Sequence, residues 1–160
     1  MAKIHVTTFV KAPAKRVYDL SRSVNLFQIS SSTTFINFLE GPISGLINEN
    51  DKVVYQAKHF KRSRDLTLKI ISVNIPDQIT IQLLMKGFIN FQHNLYFKAI
   101  KNGSFIIDVI EYETSFGLIG KLLDKIFIKN YISKLLLHRN EIIKQYAETA
   151  KWKEILTQIK

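Results

Sequence analysis

The sequence predicts an α+β fold in which a curved antiparallel sheet of about seven strands is closed by one long C-terminal helix. Most of the chain before Phe116 alternates apolar and polar residues, which is the period of half-buried strands. After Asn50, short turn-forming segments divide the chain into pieces of hairpin length. From Leu118 to Lys160, apolar residues recur at three- and four-residue steps, which indicates a helix.

The N-terminal segment is predicted to be a strand followed by two short helices. Residues 3–10 alternate between apolar and polar types and form the first strand. Pro13 suits the first helical position, where its missing N–H needs no partner. Asn25 is the candidate cap of a second short helix, which ends in the serines at 30–32.

The middle of the chain is predicted to add six strands. The pattern is weakest from Thr33 to Asn50, where residues 35–39 are a candidate strand before a turn at Gly41-Pro42. The later connections are short, and Asn102-Gly103 is a strong hairpin signal. Sequential hairpins give an antiparallel meander, which must bury its apolar face against the final helix. The five later strands span approximately residues 52–60, 64–74, 78–88, 90–101 and 104–115.

The predicted final helix carries a wider apolar stripe than an ordinary surface helix needs. Asn130, Lys134 and His138 interrupt this stripe with polar groups. A curved sheet closed by a single helix leaves a space between the two, and we expect this space to be the functional site. The stripe comprises Ile119, Leu122, Leu123, Ile126, Phe127, Asn130, Tyr131, Lys134, Leu135, His138, Ile142, Tyr146 and Ala150.

Length and composition favour one soluble domain. A chain of 160 residues, 46% of them hydrophobic, can bury a single core, so we expect one domain over residues 1–160. Cysteine is absent, which excludes disulfides, thiolate metal sites and a cysteine nucleophile. No apolar run reaches the ~20 residues of a membrane span, and no signal-peptide core is found. We therefore expect a cytoplasmic protein that is a monomer or a weak homodimer.

The formal net charge of +10 allows two interpretations. A basic surface attracts nucleic acid, ribosomes or anionic lipid headgroups. Alternatively, the lysines are scattered and solvated in a chain rich in Lys, Ile and Asn. The charges are spread out apart from Lys58, Lys61, Arg62 and Arg64, and no motif signals nucleic-acid binding, so the second interpretation is favoured.

Several local segments carry a family resemblance. They are the run Ala-Pro-Ala-Lys-Arg-Val-Tyr-Asp at 12–19, Ala57-Lys58-His59-Phe60, Phe91-Gln92-His93, Asp108-Val109-Ile110-Glu111-Tyr112, Phe116-Gly117-Leu118-Ile119-Gly120 and Arg139-Asn140. These segments resemble the START/Bet v 1-like (SRPBCC) superfamily, in particular a bacterial polyketide cyclase/dehydrase-like, ligand-binding subgroup. Phe116 departs from the pattern, which usually has proline there.

The resemblance covers nearly the whole chain and implies a helix-grip fold with an internal cavity between the sheet and the long helix. It implies no particular reaction, because characterised relatives range from cyclases to lipid and hormone carriers, ubiquinone-binding proteins and ribosome-associated factors.

Residues of the expected cavity wall are assigned by face alone. Period-two alternation places one set of each strand inward, and the apolar sets are preferred. A mostly apolar wall with a few polar groups is typical of small-molecule sites, although the same residues could simply pack as core. The expected ligand-binding residues are Tyr55, Ala57, His59, Leu68, Leu83, Met85, Phe91, His93, Leu95, Val109, Glu111, Leu123, Phe127, Tyr131 and Leu135.

His59, His93 and Glu111 are the polar residues assigned to the inward faces, and they are the candidate catalytic residues. A carboxylate beside an imidazole can act as general base and acid, or can hold a ligand hydroxyl or carbonyl. Metal binding is not predicted, because no short-spaced pair of ligands lies on a helix. The alternative is that each is a core or rim residue with a backbone partner, or that a bulge turns it to solvent.

The sequence therefore favours a protein that binds a small hydrophobic or amphipathic molecule (a lipid, polyketide or isoprenoid-like compound) in an internal cavity, with no cofactor and no metal. Other enzyme signatures, such as a Gly-x-Ser-x-Gly elbow or a Walker loop, are absent. Asp108 with Arg64 or Arg139 is a candidate structural ion pair. Two alternatives stay open: a cyclase- or dehydratase-type enzyme that uses the polar candidates, and a basic module that contacts ribosomes or membranes.

Overall fold

A computed structural model describes residues 1–31, 36–59, 62–115, 117 and 127–157, except for the side chain of His59. The strands are β1 (Ala2–Val10), β2 (Asn37–Glu40), β3 (Lys52–His59), β4 (Arg62–Asn74), β5 (Gln78–Leu84), β6 (Phe88–Ile100) and β7 (Gly103–Thr114). The helices are α1 (Ala14–Arg22), α2 (Val24–Ser30), α3 (Lys129–Glu148) and α4 (Trp152–Leu156).

The strands form one antiparallel sheet of seven in the order β1-β7-β6-β5-β4-β3-β2. Strands β2 to β7 follow one another as a meander, and β1 completes the sheet by pairing with β7 along its whole length. At the predicted hairpin between β6 and β7, a Cβ on Gly103 would lie only 2.4 Å from the Val10 carbonyl oxygen, so only glycine fits. The predicted α+β architecture is confirmed.

The two short helices follow β1 as predicted, but the cap of the second is different. Ser23 caps α2, because its Oγ accepts the Leu26 N–H at 3.2 Å. Asn25, the predicted cap, lies inside α2, and its Oδ1 accepts the Gly45 N–H at 3.1 Å. Asn25 therefore ties α2 to the loop before β3.

The predicted helix Leu118–Lys160 is interrupted within its described part. α3 ends before Thr149, whose backbone is extended at φ −118° and ψ 175°. The Thr149 hydroxyl donates to the Gln145 carbonyl at 2.8 Å, a local bond that competes with the helical ladder. The chain turns there, and α4 then brings Ile155 into the core. The first predicted residues, 118–126, lie outside the described residues.

The face of α3 that packs against the sheet is rotated relative to the predicted stripe. Leu135, Ile142 and Tyr146 are only partly buried, and His138 and Ala150 are exposed. A wide apolar stripe does not define its own centre, and the hydrogen bonds of Asn140 to Asp108 and Thr8 fix it here. The buried residues are Leu136, Asn140, Ile143 and Ala147.

The inward face of β7 is the opposite of the predicted one. Asp108, Ile110 and Tyr112 are buried against the rest of the molecule. Both sets of β7 contain aliphatic residues, and partners on α3 hold Asp108 inside, which hydrophobicity alone cannot anticipate. Val109 and Glu111, which were predicted to face inward, face outward together with the other residues of the same alternating set, Phe105, Ile107 and Glu113.

Three apolar clusters fill the space between the sheet and the helices. The largest joins α1, α3 and α4 to the sheet and includes Tyr18, Ile79 and Ile143. A second is formed around Phe91, and a third lies around Tyr55. The second and third clusters supply much of the wall of the cavity described below.

Candidate functional site

A cavity of about 370 Å³ lies between the inner face of the sheet and α3. Its wall is mostly aliphatic and aromatic, and its volume lies within the range of small-molecule sites. A small organic molecule can therefore be accommodated. The apolar wall comprises Val24, Phe27, Ile36, Phe38, Ile47, Val53, Tyr55, Leu66, Leu68, Ile70, Ile81, Leu83, Met85, Phe88, Phe91, Ile110, Ile128, Tyr131, Ile132, Leu135 and Leu136.

Part of the predicted ligand-binding set borders this cavity. Period-two alternation chose the inward face correctly for β3 to β6. Ala57 and Leu95, from the same faces, are buried in the core instead. The predicted residues that border the cavity are Tyr55, Leu68, Leu83, Met85, Phe91, His93, Tyr131 and Leu135.

The other predicted residues are placed elsewhere. Val109 and Glu111 lie on the outer face of β7, where the Glu111 carboxylate pairs with Lys3 Nζ at 3.0 Å. Phe127 precedes α3 and is 60% exposed. Leu123 and the side chain of His59 lie outside the described residues. The prediction that Glu111 shares an inward polar cluster with His93 is therefore wrong. Glu111 does not border the cavity, so this position does not support a catalytic role for it.

Sequence reasoning missed the wall that α2 and β2 supply. Phe27 of α2 contacts Phe38 of β2 and Tyr55 of β3, with ring centroids 6.1 and 5.4 Å apart. Phe38 stands in a strand of four residues, which is too short for a period of two to be recognised. The available signal was Phe38 itself, an aromatic residue in the candidate strand 35–39.

A buried polar network lies at the cavity wall. Asp108 is fully buried, and its Oδ1 lies 2.8 Å from His93 Nε2 and 3.2 Å from Arg139 Nη1. Asn140 Nδ2 donates to Asp108 Oδ2 at 2.6 Å and to the Thr8 hydroxyl at 3.1 Å. Of the two ion pairs predicted for Asp108, the one with Arg139 is formed. His93 and Arg139 also border the cavity.

Burial and charge fix the protonation states in this network. Burial lowers the pKa of His93, and the Arg139 charge acts in the same direction, against the opposing effect of Asp108. Desolvation acts to raise the pKa of Asp108, but the hydrogen bond from His93 and the charge of Arg139 outweigh it and lower that pKa. At neutral pH the network therefore consists of a carboxylate, a guanidinium and a neutral imidazole.

The neutral imidazole of His93, a residue that borders the cavity, has one nitrogen that can accept a hydrogen bond. Because a neutral imidazole has a single N–H, the short contact with Asp108 assigns that hydrogen to Nε2. Nδ1 then carries the lone pair of the ring and is the nitrogen that Asp108 does not contact. Tyr55 provides a second polar group, since burial raises the pKa of its phenol and keeps it protonated. His93 and Tyr55 are both uncharged, and together they can hydrogen-bond to a hydroxyl or a carbonyl of a guest.

Neither a metal site nor a membrane-spanning helix is found in the described part of the chain. No group of three or more His, Cys, Asp or Glu residues is placed to hold a metal ion there. Among the described helices, none combines the length and apolar character required to cross a membrane.

Solved structures share this fold at low sequence identity. No protein-family model matches the sequence, and no curated protein matches it. The chain is similar to protein CV1439 from Chromobacterium violaceum, with a TM-score of 0.68 and 12% identity over 93% of this chain and 99% of that one. It is also similar to ginseng major latex-like protein 151 from Panax ginseng, with a TM-score of 0.70 and 11% identity over 92% of this chain and 98% of that one.

A third similar structure is that of Ara h 8.0201, with a TM-score of 0.64 and 10% identity over 91% of this chain and 97% of that one. At such low identity the similarity concerns the fold. Together with the order of the strands and the long C-terminal helix, it shows that the chain shares the helix-grip fold of these structures.

Proposed function

We propose that this protein is a single ligand-binding domain that holds a small hydrophobic or amphipathic molecule between the sheet and α3. The observation that carries the proposal is the cavity of about 370 Å³, whose wall is apolar except for a few polar groups. A lipid, polyketide or isoprenoid-like compound fits this character. The similar structures support a fold suited to ligand binding and name no ligand for this chain.

The mechanism would be sequestration from water. A guest that buries about 300 Å² of apolar surface gains roughly 7 kcal/mol, before the entropic cost of association. That gain is consistent with micromolar or weaker binding. His93 Nδ1 would orient the guest by accepting a hydrogen bond from its hydroxyl, since Asp108, which is itself held by Asn140, already fixes the other ring nitrogen.

A cavity-filling variant tests this proposal. Leu83 borders the cavity, whereas its neighbour Leu84 is exposed on the other face of β5. We expect Leu83→Trp to weaken binding of a neutral apolar fluorophore such as N-phenylnaphthylamine by about tenfold or more, because the indole occupies the guest's space. Leu84→Trp should bind the fluorophore as the wild type does. Absence of fluorophore binding by the wild type, or equal binding by both variants, would refute the cavity as the site.

A second candidate function is enzymatic, and the contact between His93 and Asp108 is the observation that favours it. A carboxylate that orients an imidazole, with the free nitrogen beside a guest, is an arrangement suited to a general base. Cyclase- or dehydratase-type chemistry would then use His93. Molecules that are retained through purification can be incubated with wild type and His93→Gln and followed by mass spectrometry. Conversion by the wild type alone, with binding kept by the variant, would favour the enzyme.

A further inference from the structure

The charged side chains that border the cavity are all positive in the described part of the chain, since the buried Asp108 carboxylate does not itself border it. Arg22, Arg64, Lys86 and Arg139 border the cavity, and no described aspartate or glutamate does. Cations next to an apolar space are costly unless something compensates them. The role of each cation therefore depends on the hydrogen-bond acceptors that it already contacts.

Two of these cations are committed to the protein. Arg22 Nε donates to the Ile47 carbonyl at 2.8 Å, and its Nη2 donates to Asn48 Oδ1 at 2.7 Å. Arg139 pairs with Asp108, as described above. Both guanidinium groups therefore have structural roles.

Arg64 is different. It lies on the inward face of β4, two residues before the buried Leu66, and its partner across the strands is Ala57. Its Nη1 makes a long contact of 3.4 Å with the Lys86 carbonyl, while its Nε is buried without a hydrogen-bond partner. No described carboxylate lies within ion-pair distance of Arg64.

A buried donor without an acceptor is uncommon in folded proteins and indicates a missing partner. A guanidinium presents a planar set of donors that matches the two oxygens of a carboxylate or phosphate. An oxyanion bound side-on would give Arg64 Nε the acceptor it lacks. Lys86, which is exposed at the turn between β5 and β6, adds a second positive charge at the same end of the wall.

We propose that the ligand is an amphipathic anion whose tail fills the apolar cavity and whose carboxylate or phosphate is bound by Arg64. This inference rests on the function proposed above and narrows it to a chemical class. A long-chain carboxylic acid and a monoalkyl phosphate share the required chemistry. The +10 net charge of the chain would draw such anions toward the protein.

The test compares ligands that differ only in their headgroup. Decanol, decanoate and decyl phosphate are titrated into the wild type, into Arg64→Gln and into Lys69→Gln, with displacement of the neutral fluorophore as the readout. Lys69 is the matched control, because it is an exposed cation on the same strand and on the opposite face. Arg64→Lys tests whether charge alone is enough.

For the wild type we expect the preferred anion to bind about tenfold more tightly than decanol, which is the effect of one charge-assisted interaction. Arg64→Gln should reduce that preference to within about twofold and leave decanol binding unchanged, whereas Lys69→Gln should keep the preference. Arg64→Lys should keep part of it. Which anion shows the larger preference distinguishes a carboxylate from a phosphate ligand.

Equal affinity of the wild type for decanol and both anions would overturn the inference while leaving the cavity proposal intact. A preference that survives in Arg64→Gln would overturn the assignment to Arg64. Failure of every compound, including the fluorophore, to bind would instead remove the proposed function and the inference that depends on it.

Discussion

Asp108 is a fully buried carboxylate, and donors from β6 and α3 replace the water that it loses on folding. His93 and Arg139 contact one oxygen, and Asn140 contacts the other. The lowered pKa of Asp108 shows that these partners more than compensate for its burial. The network therefore fixes α3 against the sheet and holds the His93 ring at the cavity wall.

Removal of the carboxylate charge should be strongly destabilising. In Asp108→Asn, the buried guanidinium of Arg139 loses its counter-charge, and we expect the free energy of unfolding to fall by about 3 kcal/mol. Urea unfolding measures this loss. The double variant that also carries Arg139→Gln should recover part of the stability, because no unpaired charge is then buried. A single variant within about 1 kcal/mol of the wild type would contradict the ion pair.

The lowered pKa of His93 predicts how stability depends on pH. Below the ordinary pKa of 6.5, the unfolded chain takes up a proton that the folded protein does not, so acidification favours unfolding. Stability should fall as the pH decreases from 6.5 toward the folded pKa of His93, and should not change with His93 above that window. Below the ordinary Asp pKa of 3.8, protonation of Asp108 should remove further stability.

Urea unfolding of His93→Gln at a series of pH values checks this expectation. The variant keeps an N–H donor for Asp108 and lacks the titrating group, so its stability should vary less between about pH 5 and 7. His5→Gln, which replaces an exposed histidine on β1, is the matched control and should keep the wild-type profile. An unchanged profile in His93→Gln would show that another group is responsible.

The side of α3 that faces the sheet was the less predictable property of this helix. Its existence followed from the three- and four-residue spacing of apolar residues, but the stripe included Ile128, Ile132, Leu136 and Leu137 as well as the predicted members. Asn140 lies at the centre of the buried face because it donates to Asp108 and Thr8. A polar residue at the centre of a core face has no signature in a hydrophobic pattern.

Two adjacent leucines test the orientation of α3. Leu136 is 6% exposed and packs in the cluster with Ile4 and Phe91, whereas Leu137 is 52% exposed. We expect Leu136→Ala to lower the free energy of unfolding by about 2–4 kcal/mol and Leu137→Ala by less than about 0.5 kcal/mol. Thermal or urea unfolding measures both. Equal effects of the two substitutions would contradict the orientation.

The strands differ in how well the alternation of apolar and polar residues predicts which face of each strand points inward. In β3 to β6 one set of alternate residues is clearly more apolar, and the inward choice was correct. In β7 the set from Phe105 to Val109 is as apolar as the correct set, which contains Ser104 and Asp108. Contacts far apart in sequence decide such a case. Ser104, for example, donates to the Ala12 carbonyl at 3.0 Å.

For the molecule as a whole, the order of elements and the resemblance of local segments were enough to predict the fold. The cavity wall was predicted only where regular strands supply it. The contribution of α2 and β2 depends on how an irregular stretch folds over the sheet, and the position of Arg64 as an unpaired cation depends on where Asp108 finds its partner. Neither can be read from local periodicity, because both are results of tertiary packing.

The pairing of β1 with β7 has a consequence for how the chain is made. β1 is the first of the described strands to be synthesised, yet its partner in the described sheet is the last strand, so its backbone groups have no strand partner until almost the entire sheet has left the ribosome. Pairing of β1 with β7 brings together residues that are about a hundred positions apart in the sequence, and contacts between such distant residues make folding slow. β1 is therefore the strand that stays longest without its partner during synthesis, and it is exposed to misassociation for that time.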